Sequence, residues 1–565
     1  MSPVVSLRGV SFTYRDAAAP ALQAIDLDVE AGQFVVLMGA SGAGKTTLAK
    51  CLNCSIPQFQ PGRLSGSIRV LDRALEGATV SDLAGMVGLV SQDFEAQLFA
   101  TNVRQEVAFG LEQLGVPRDE MQRRIATALE FVGLASFGAR DPGMLSGGEK
   151  QRLAIAALLA LEPALLVFDE PTTDLDPLGK AAVFDVLAAL RGRGGTTLLI
   201  EHETEAAQRA DRLLLMEEGR IVADGDPRIL LRDVERLERL GVRPLDLDRL
   251  ADRLGWPEHV ASVEQALALL EREHGQGGGL IVAPSAADVA APASGPPLLS
   301  VEHVDFSYRE GAHALDDVSL TIQAGEFLAV IGQNGSGKTT LAKCLNGLLR
   351  PQRGAVRLRG ADLAGLPLNR LATDIGYVFQ NPDHQIFAAS VREEVEFALR
   401  NFGFPPDAIE VRMRAALAAV GLEGIETVDP FLLGKGQRQQ LAVASFLALE
   451  PAMLILDEPT TGLDYLEQRR MMDLLARLHA QGTTLVIITH TPWVVAEYAQ
   501  RGVLMRAGRI AFDGALRRLF AEETLLEECH FRIPDVVRLA HRIGSSALSV
   551  EELVSTLTHR SEQRP

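Results

Sequence analysis

From Gly39 to Asn53 the chain reads GASGAGKTTLAKCLN, and from Gly332 to Asn346 it reads GQNGSGKTTLAKCLN. Two fifteen-residue stretches that differ at only three positions mean that the chain is an internal duplication. Working outward, LLVFDEPTTDLD ending at Asp176 returns as MLILDEPTTGLD ending at Asp464. The first pair is offset by 293 residues and the second by 288, so the first copy carries about five extra residues between them. The insertion is expected in CSIPQFQPGRLSG, which begins at Cys54.

The tails repeat as well. RPLDLDRLADRLG (Arg243 to Gly255) matches RIPDVVRLAHRIG (Arg532 to Gly544), and SVEQALALL from Ser262 matches SVEELVSTL from Ser549. Each copy therefore owns a small helical C-terminal extension. Between the copies, GQGGGLIVAPSAADVAAPASGPP (Gly275 to Pro297) has the Gly, Ala, Pro and Ser content of a flexible tether. The expected division is a first domain over 1–226, its extension over 227–274, a linker over 275–298, a second domain over 299–516 and its extension over 517–565. Within each copy, short apolar runs that end in polar residues alternate with helical stretches, as in an α/β fold with a buried, mainly parallel sheet. Its chemistry is then expected at the strand C-termini.

Composition agrees with modular globular folding. In 565 residues, 47% are hydrophobic, 23% charged and only 5% aromatic, which excludes wholesale disorder. A net charge of −19 argues against a broad grip on nucleic acid. No run of about 18 apolar residues appears, and the N-terminus lacks the pattern of a secretory signal, so neither a membrane span nor export is expected. Four cysteines cannot form a disulfide framework, and Cys51 with Cys54 lacks a second pair to complete a zinc site. Cys51 and Cys344 are equivalent, whereas Cys54 aligns with Gly347, so this pair is expected to be a matter of helix packing.

Gly39-x4-Gly44-Lys45-Thr46 and Gly332-x4-Gly337-Lys338-Thr339 fit the P-loop pattern. Glycines let backbone N–H groups curl around phosphates at a helix N-terminus, the lysine reaches the β- and γ-phosphates, and the threonine hydroxyl is available to Mg²⁺. Downstream, Asp169-Glu170 and Asp457-Glu458 each supply one carboxylate for the metal and one able to polarise an attacking water. His202 and His490 each follow that glutamate by 32 residues, at the end of a β-like run, where an imidazole could contact the γ-phosphate.

With LSGGEKQR (Leu145 to Arg152), these motifs make the chain resemble the nucleotide-binding domains of ABC transporters over nearly all of both halves. The resemblance implies two tandem P-loop NTPase domains, each with a helical subdomain, that pair head to tail, so that each ATP lies between one P-loop and the other copy's signature. In the first copy it implies ATP contacts from Tyr14, whose ring would stack on adenine, and from Gly39, Ser41, Gly42, Gly44, Lys45, Thr46 and Thr47. In the second copy the same contacts fall to Tyr308, Gly332, Asn334, Gly335, Gly337, Lys338, Thr339 and Thr340. The signatures would contribute Ser146, Gly147 and Gly148, and Gly434 and Gly436. The magnesium would be held by Thr46, Asp169 and Gln92, and by Thr339, Asp457 and Gln380. Catalytic roles fall to Glu170, His202 and Gln92, and to Glu458, His490 and Gln380; Asp176 and Asp464 would close the D-loops.

A narrower resemblance follows the glutamines. QDFEAQLFATNVRQEVAFG from Gln92 and QNPDHQIFAASVREEVEFA from Gln380 look like the docking segments of energy-coupling factor ATPases, with acidic-x-Gln-aliphatic-Phe at Glu95, Gln97, Leu98 and Phe99 and at Asp383, Gln385, Ile386 and Phe387. Here a buried-type phenylalanine is expected beside an exposed glutamine and acidic residue. The resemblance implies a peripheral ATPase on the cytoplasmic face of the membrane, with a transmembrane coupling subunit and a separate substrate-binding membrane subunit. It implies no solute pocket in this chain, and import of a vitamin, a vitamin precursor or a transition-metal ion. The alternatives are the tandem ATPase of a monosaccharide importer and a soluble translation-associated tandem ATPase. The first fits the paired docking segments less well, and the second would carry a long charged helical linker. One departure matters: the second signature reads LGKGQRQQ (Leu433 to Gln440), with Gly434 for the serine, Lys435 for a glycine and Gln440 for the arginine.

Overall fold

The computed structural model describes residues 3–173, 175–274, 296–309 and 312–561. They fall into two compact units, Met1–Ala261 with Asp464–Leu466, and Ser262–Leu463 with Glu467–Pro565. Of the expected linker, residues 275–295 lie outside the described residues.

In the first unit a six-stranded sheet runs in the order Arg220–Gly225, Arg212–Glu217, Phe34–Met38, Thr196–Ile200, Leu165–Asp169, Val87–Val90. All neighbours are parallel except the hairpin at one edge. Three central strands, FVVLM, LLVFD and TTLLI, are buried at every position, which is why they read as unbroken apolar runs instead of alternating. A four-stranded antiparallel sheet, absent from the sequence-based expectation, packs around Val5–Tyr14, and its apolar residues share one core with Leu37, Leu48 and Leu52. The helical subdomain consists of Val103–Gln113, Arg118–Phe131 and Gly147–Leu159. The five-residue insertion is the short helix Ser55–Gln58 and its flanks. Val5 pairs with Val70, and the equivalent Leu299 with Leu358, by which point the offset has already fallen to 288.

The second unit repeats this plan. Its six-stranded sheet runs Ile375–Val378, Met453–Asp457, Thr484–Ile488, Phe327–Gly332, Arg501–Arg506, Arg509–Ala515, again with one antiparallel edge. Its helical subdomain is Val391–Asn401, Pro406–Val420 and Lys435–Leu447. The helix Val263–His274, expected to close the first extension, belongs to this unit, where it packs against Asp535–Arg542. Its Val263, Ala266 and Leu270 form a buried stripe at helical spacing, and such a stripe has to be covered.

Candidate nucleotide sites

In each half the phosphate loop leaves the end of the central strand and enters a helix, Lys45–Leu52 or Lys338–Leu345. The glycines are sterically required. A Cβ on Gly39 would lie 2.2 Å from the Met216 carbonyl oxygen, and one on Gly44 would lie 2.4 Å from that of Ala21. Gly332 and Gly337 meet Met505 and Ala314 in the same way, at 2.3 and 2.4 Å. Gly42 and Gly335 both sit at φ +77°, a left-handed backbone that glycine adopts without strain. Lys45 Nζ donates to the carbonyls of Gly39 and Ala40 at 2.8 and 2.9 Å, and Lys338 Nζ to those of Gly332 and Gln333 at 2.7 Å each. Both ammonium groups thus lie over the loop they would complete with a phosphate. Burial lowers the Lys45 pKa, and the Glu170 and Asp169 carboxylates pull it back in part.

The carboxylates converge on the foot of each loop. Thr46 Oγ1 donates to Asp169 Oδ1 at 3.1 Å, and Thr339 hydrogen-bonds Asp457. Burial pushes the Asp169 carboxyl up to about 6 against the Thr46 bond. Burial also raises Asp457, where Thr339 and a second hydroxyl, that of Tyr377, act in the opposite direction. Glu170 and Glu458 both sit at φ +50°, an uncommon conformation for a non-glycine residue and one found where a site is held under strain.

Around these two glutamates the halves differ. In the first, His202 Nε2 meets Glu170 Oε1 at 2.8 Å, and Gln92 Nε2 donates to Glu170 Oε2 at 3.0 Å. Burial would raise Glu170, but the His202 bond and the charges of His202 and Lys45 outweigh it and hold the carboxyl below its ordinary value. In the second, His490 Nδ1 meets Glu458 Oε1 at 2.9 Å, and Glu458 Oε2 is buried with no hydrogen-bond partner among the described residues. Gln380 is exposed and is not bonded to it.

Tyr14 Oη shares a hydrogen bond with Thr47 Oγ1 at 3.0 Å, and Tyr308 Oη with Thr340 Oγ1 at 3.2 Å, so each ring is tied to its own P-loop helix. Beside Tyr14, a cleft of about 490 Å³ is lined by Thr13, Arg15, Pro61 and Arg63 among others. Ser146 is the exposed N-cap of Gly147–Leu159 and forms a capping box with Glu149. Gly434 caps Lys435–Leu447 with no hydroxyl, and only its backbone N–H reaches Gln437, at 3.3 Å. Lys435 folds back onto its own half: a Cβ placed on Gly462 would come within 2.2 Å of Lys435 Nζ. Asp176 N-caps Pro177–Gly192 through Gly179 N.

The segments after the glutamines reverse part of the expectation. Phe99 and Phe387 are 62% and 59% exposed, whereas Gln97 and Gln385 are half-buried. Gln97 Nε2 donates to the Leu89 carbonyl on the strand Val87–Val90 and Gln385 Nε2 to the Ala442 carbonyl on the helix Lys435–Leu447, so each glutamine is turned inward against its own half. Glu95 pairs with Lys150 at 2.9 Å and Asp383 with Arg438 at 2.7 Å, both cations lying on the signature helix of the same half. Each phenylalanine stacks edge to face on another exposed one, Phe99 on Phe109 and Phe387 on Phe397, with centroids 4.6 Å apart in both pairs. Buried Glu106 and Glu394 anchor these loops by accepting from the backbone N–H groups of Phe99 and Ala100, and of Phe387 and Ala388. Sequence reasoning missed this support, although Glu-x-x-Phe recurs at the same place in both copies (Glu106 and Phe109, Glu394 and Phe397). The four cysteines are free and buried, and burial pushes the Cys51 and Cys344 thiols up to about 12. Among the described residues no cluster could hold a metal through His, Cys, Asp and Glu together.

Comparison with known proteins now decides the family. The model for the ABC transporter family matches residues 22–173 and 315–461, one match in each half. The chain belongs to the ABC transporter family. A relative from Caldanaerobacter subterraneus subsp. tengcongensis, named only by family as an ABC transporter ATP-binding protein, is 45% identical over 564 residues and covers 98% of both chains. Another from Methanosarcina acetivorans, named in the same way, is 40% identical over 568 residues and covers 98% of this chain and 92% of its own. Among solved structures, cbiO1 of Clostridium perfringens, part of the ABC transporter complex cbiONQ, is 34% identical, covering 44% of this chain and 100% of its own, with a TM-score of 0.39. This ABC protein is therefore a fused pair of ATPase domains of the P-loop NTPase fold and the ATP-binding component of a transporter. Among its described residues no helix is long and apolar enough to cross a membrane.

Proposed function

We propose that the chain is the ATP-driven motor of an energy-coupling factor type importer, lying on the cytoplasmic face of the membrane. The observation that carries this reading is the exposed aromatic pair, Phe99–Phe109 and Phe387–Phe397, built alike in both halves with one ring on a loop pinned by a buried glutamate and the other on the helix that follows it. Large exposed aromatics on a fixed loop serve association. They are suited to an apolar segment of a transmembrane coupling subunit, which in turn would carry a separate substrate-binding membrane subunit. The Glu95–Lys150 and Asp383–Arg438 pairs tie each docking loop to its own signature helix, so that a displacement at one is felt at the other. The solute would be a vitamin, a vitamin precursor or a transition-metal ion, and it would be bound by the other subunits.

In this reading the halves pair head to tail around two nucleotides. The donor set beside each P-loop is made of oxygens, the hydroxyl and carboxylate of Thr46 and Asp169 or of Thr339 and Asp457 with the amide oxygen of Gln92 or Gln380, and it suits a hard cation such as Mg²⁺. When bound, Mg²⁺ neutralises charge on the phosphate oxygens. The chain's own groups do the rest. The glycine loop and Lys45 or Lys338 hold the phosphates, Glu170 or Glu458 orients and deprotonates water, and His202 or His490 holds that carboxylate by one oxygen.

Purification from membranes tests the proposal. Wild-type chain should bring down a transmembrane protein. Phe387→Asp with Phe99→Asp should lose it, while nucleotide affinity stays within about twofold. Retention of the membrane protein by that double variant, or recovery of ribosomes in its place, rejects the docking assignment.

A further inference from the structure

Beside the second Asp-Glu pair, Tyr377 makes a long-range bond that its counterpart Leu89 cannot make. The strand Ile375–Val378 lies beside Met453–Asp457 in parallel register, with Tyr377 opposite Ile455. Its phenol reaches along the neighbouring strand to the end, where Tyr377 Oη donates to Asp457 Oδ2 at 3.0 Å. Both residues are buried, at 3% and 4% exposure, and the ring is held edge to face against Phe379 with centroids 5.0 Å apart. Asp457 therefore has two hydroxyl partners, Thr339 and Tyr377. In the first half the equivalent strand Val87–Val90 carries Leu89 at this position, and among the described residues the side-chain partner of Asp169 is Thr46 alone.

We propose that Tyr377 is a positioning residue of the second nucleotide site only, fixing the rotation of the Asp457 carboxylate in advance so that this site takes up Mg²⁺-nucleotide at a lower Mg²⁺ concentration than the first. The inference rests on the reading of Asp457 as a magnesium-holding carboxylate. A carboxylate that already points the right way loses less freedom when it takes a cation, and removing such an outer partner weakens metal affinity roughly 10- to 100-fold. The buried phenol cannot turn to water, so among the described residues its polar function in the fold is the hydrogen bond to Asp457.

The test uses the full chain with Lys45→Ala, so that a fluorescent trinitrophenyl-ATP reports on the second site, and follows binding as Mg²⁺ is raised. Tyr377→Phe, which keeps the ring, and Tyr377→Leu, which copies the first half, should each raise the Mg²⁺ concentration for half-maximal binding about tenfold. Binding in excess EDTA should be unchanged by either. Conversely, Leu89→Tyr with Lys338→Ala should lower the Mg²⁺ requirement of the first site severalfold, a gain that general damage to the fold cannot mimic. Asp457→Asn is the reference. If it leaves the Mg²⁺ midpoint where it was, the metal-holding reading of Asp457 falls, and the inference falls with it. If Asp457→Asn moves the midpoint and Tyr377→Phe does not, or if Tyr377→Phe weakens binding equally in EDTA, the positioning role alone is overturned.

Discussion

The first half closes a chain of hydrogen bonds around its glutamate, Gln92 to Glu170 to His202, while the second leaves Glu458 Oε2 buried and without a partner among the described residues. The first half owns the serine-capped signature, whereas the second has Gly434 there and a lysine laid over its own Gly462. The second half has Tyr377 where the first has Leu89, and Thr489 where the first has Glu201. Meanwhile the loop glycines, the strand order and the strained φ of the two glutamates are the same. Duplication thus preserved the backbone that shapes a phosphate cradle and let the side chains around each carboxylate diverge. A carboxylate oxygen that accepts one hydrogen bond keeps a second lone pair, whereas an oxygen with no partner has both lone pairs open to a water proton. If these glutamates are the bases proposed above, the second P-loop is expected to be the faster site, and the proposed head-to-tail pairing would give it the intact Ser146 signature.

The largest expected effect follows from that difference. Glu458→Gln should nearly abolish steady-state phosphate release by the complete transporter, and Glu170→Gln should leave a substantial fraction. Equal losses would erase the distinction between the sites, and a larger loss in Glu170→Gln would reverse the assignment of half-sites. Nucleotide affinity should be less one-sided. Lys338→Ala and Lys45→Ala each remove a charged donor to phosphate, worth about 1.5–3 kcal/mol, and each should weaken binding at its own loop roughly 10- to 100-fold.

A smaller effect should come from rebuilding the second signature. Gly434→Ser, Lys435→Gly and Gly462→Asp together copy the first half, and the last two belong together because Lys435 occupies the space beside Gly462. In a Glu458→Gln background this exchange should raise residual hydrolysis about tenfold, the lower end of a bond to charged phosphate. An unchanged residual rate would mean that the signature hydroxyl is not what separates the sites.

The remaining effect concerns stability and not turnover. Glu201 is fully buried, accepting from Thr172 Oγ1 and the His202 N–H, and burial pushes its carboxyl up to about 7. Because this exceeds the value of 4.5 for an ordinary glutamate, the folded half binds the proton more tightly than the unfolded chain. The associated stability is fully present below about pH 4.5 and is lost as pH rises through about 7. Glu201→Gln should flatten this dependence and stabilise the first half at pH 8 by up to about 3 kcal/mol, since each tenfold change in proton affinity is worth about 1.4 kcal/mol. Denaturant unfolding of both proteins between pH 5 and 8 reads the difference, and parallel profiles would show that Glu201 does not titrate in this range.

Much of the site was legible because its chemistry is local. A phosphate cradle needs glycine, lysine and threonine at set positions on one strand-turn-helix, and a strand end has to present Asp and Glu in succession. Those requirements are written within a few residues and, here, written twice. The equal spacing of His202 and His490 from their glutamates reflects the same locality, since two adjacent parallel strands of equal length bring their ends together and each imidazole to its glutamate. The direction of Phe99 and Phe387 was not legible, because a phenylalanine beside charged residues can face the core or solvent. Only Leu98 and Ile386, with the buried glutamates behind them, settle which residue turns outward.

By itself, then, the sequence determined the duplication, the sheet's central strands, the two P-loops and their carboxylates, since each follows from residue type and short spacing. The tertiary structure alone decided which oxygen of Glu170 and Glu458 is engaged, where Lys435 lies and that Tyr377 bonds Asp457 from 80 residues away. Those contacts depend on which strands become neighbours and on how far each side chain reaches across them. A hydrogen bond falls away within a few tenths of an ångström, so spacing along the chain carries no record of it.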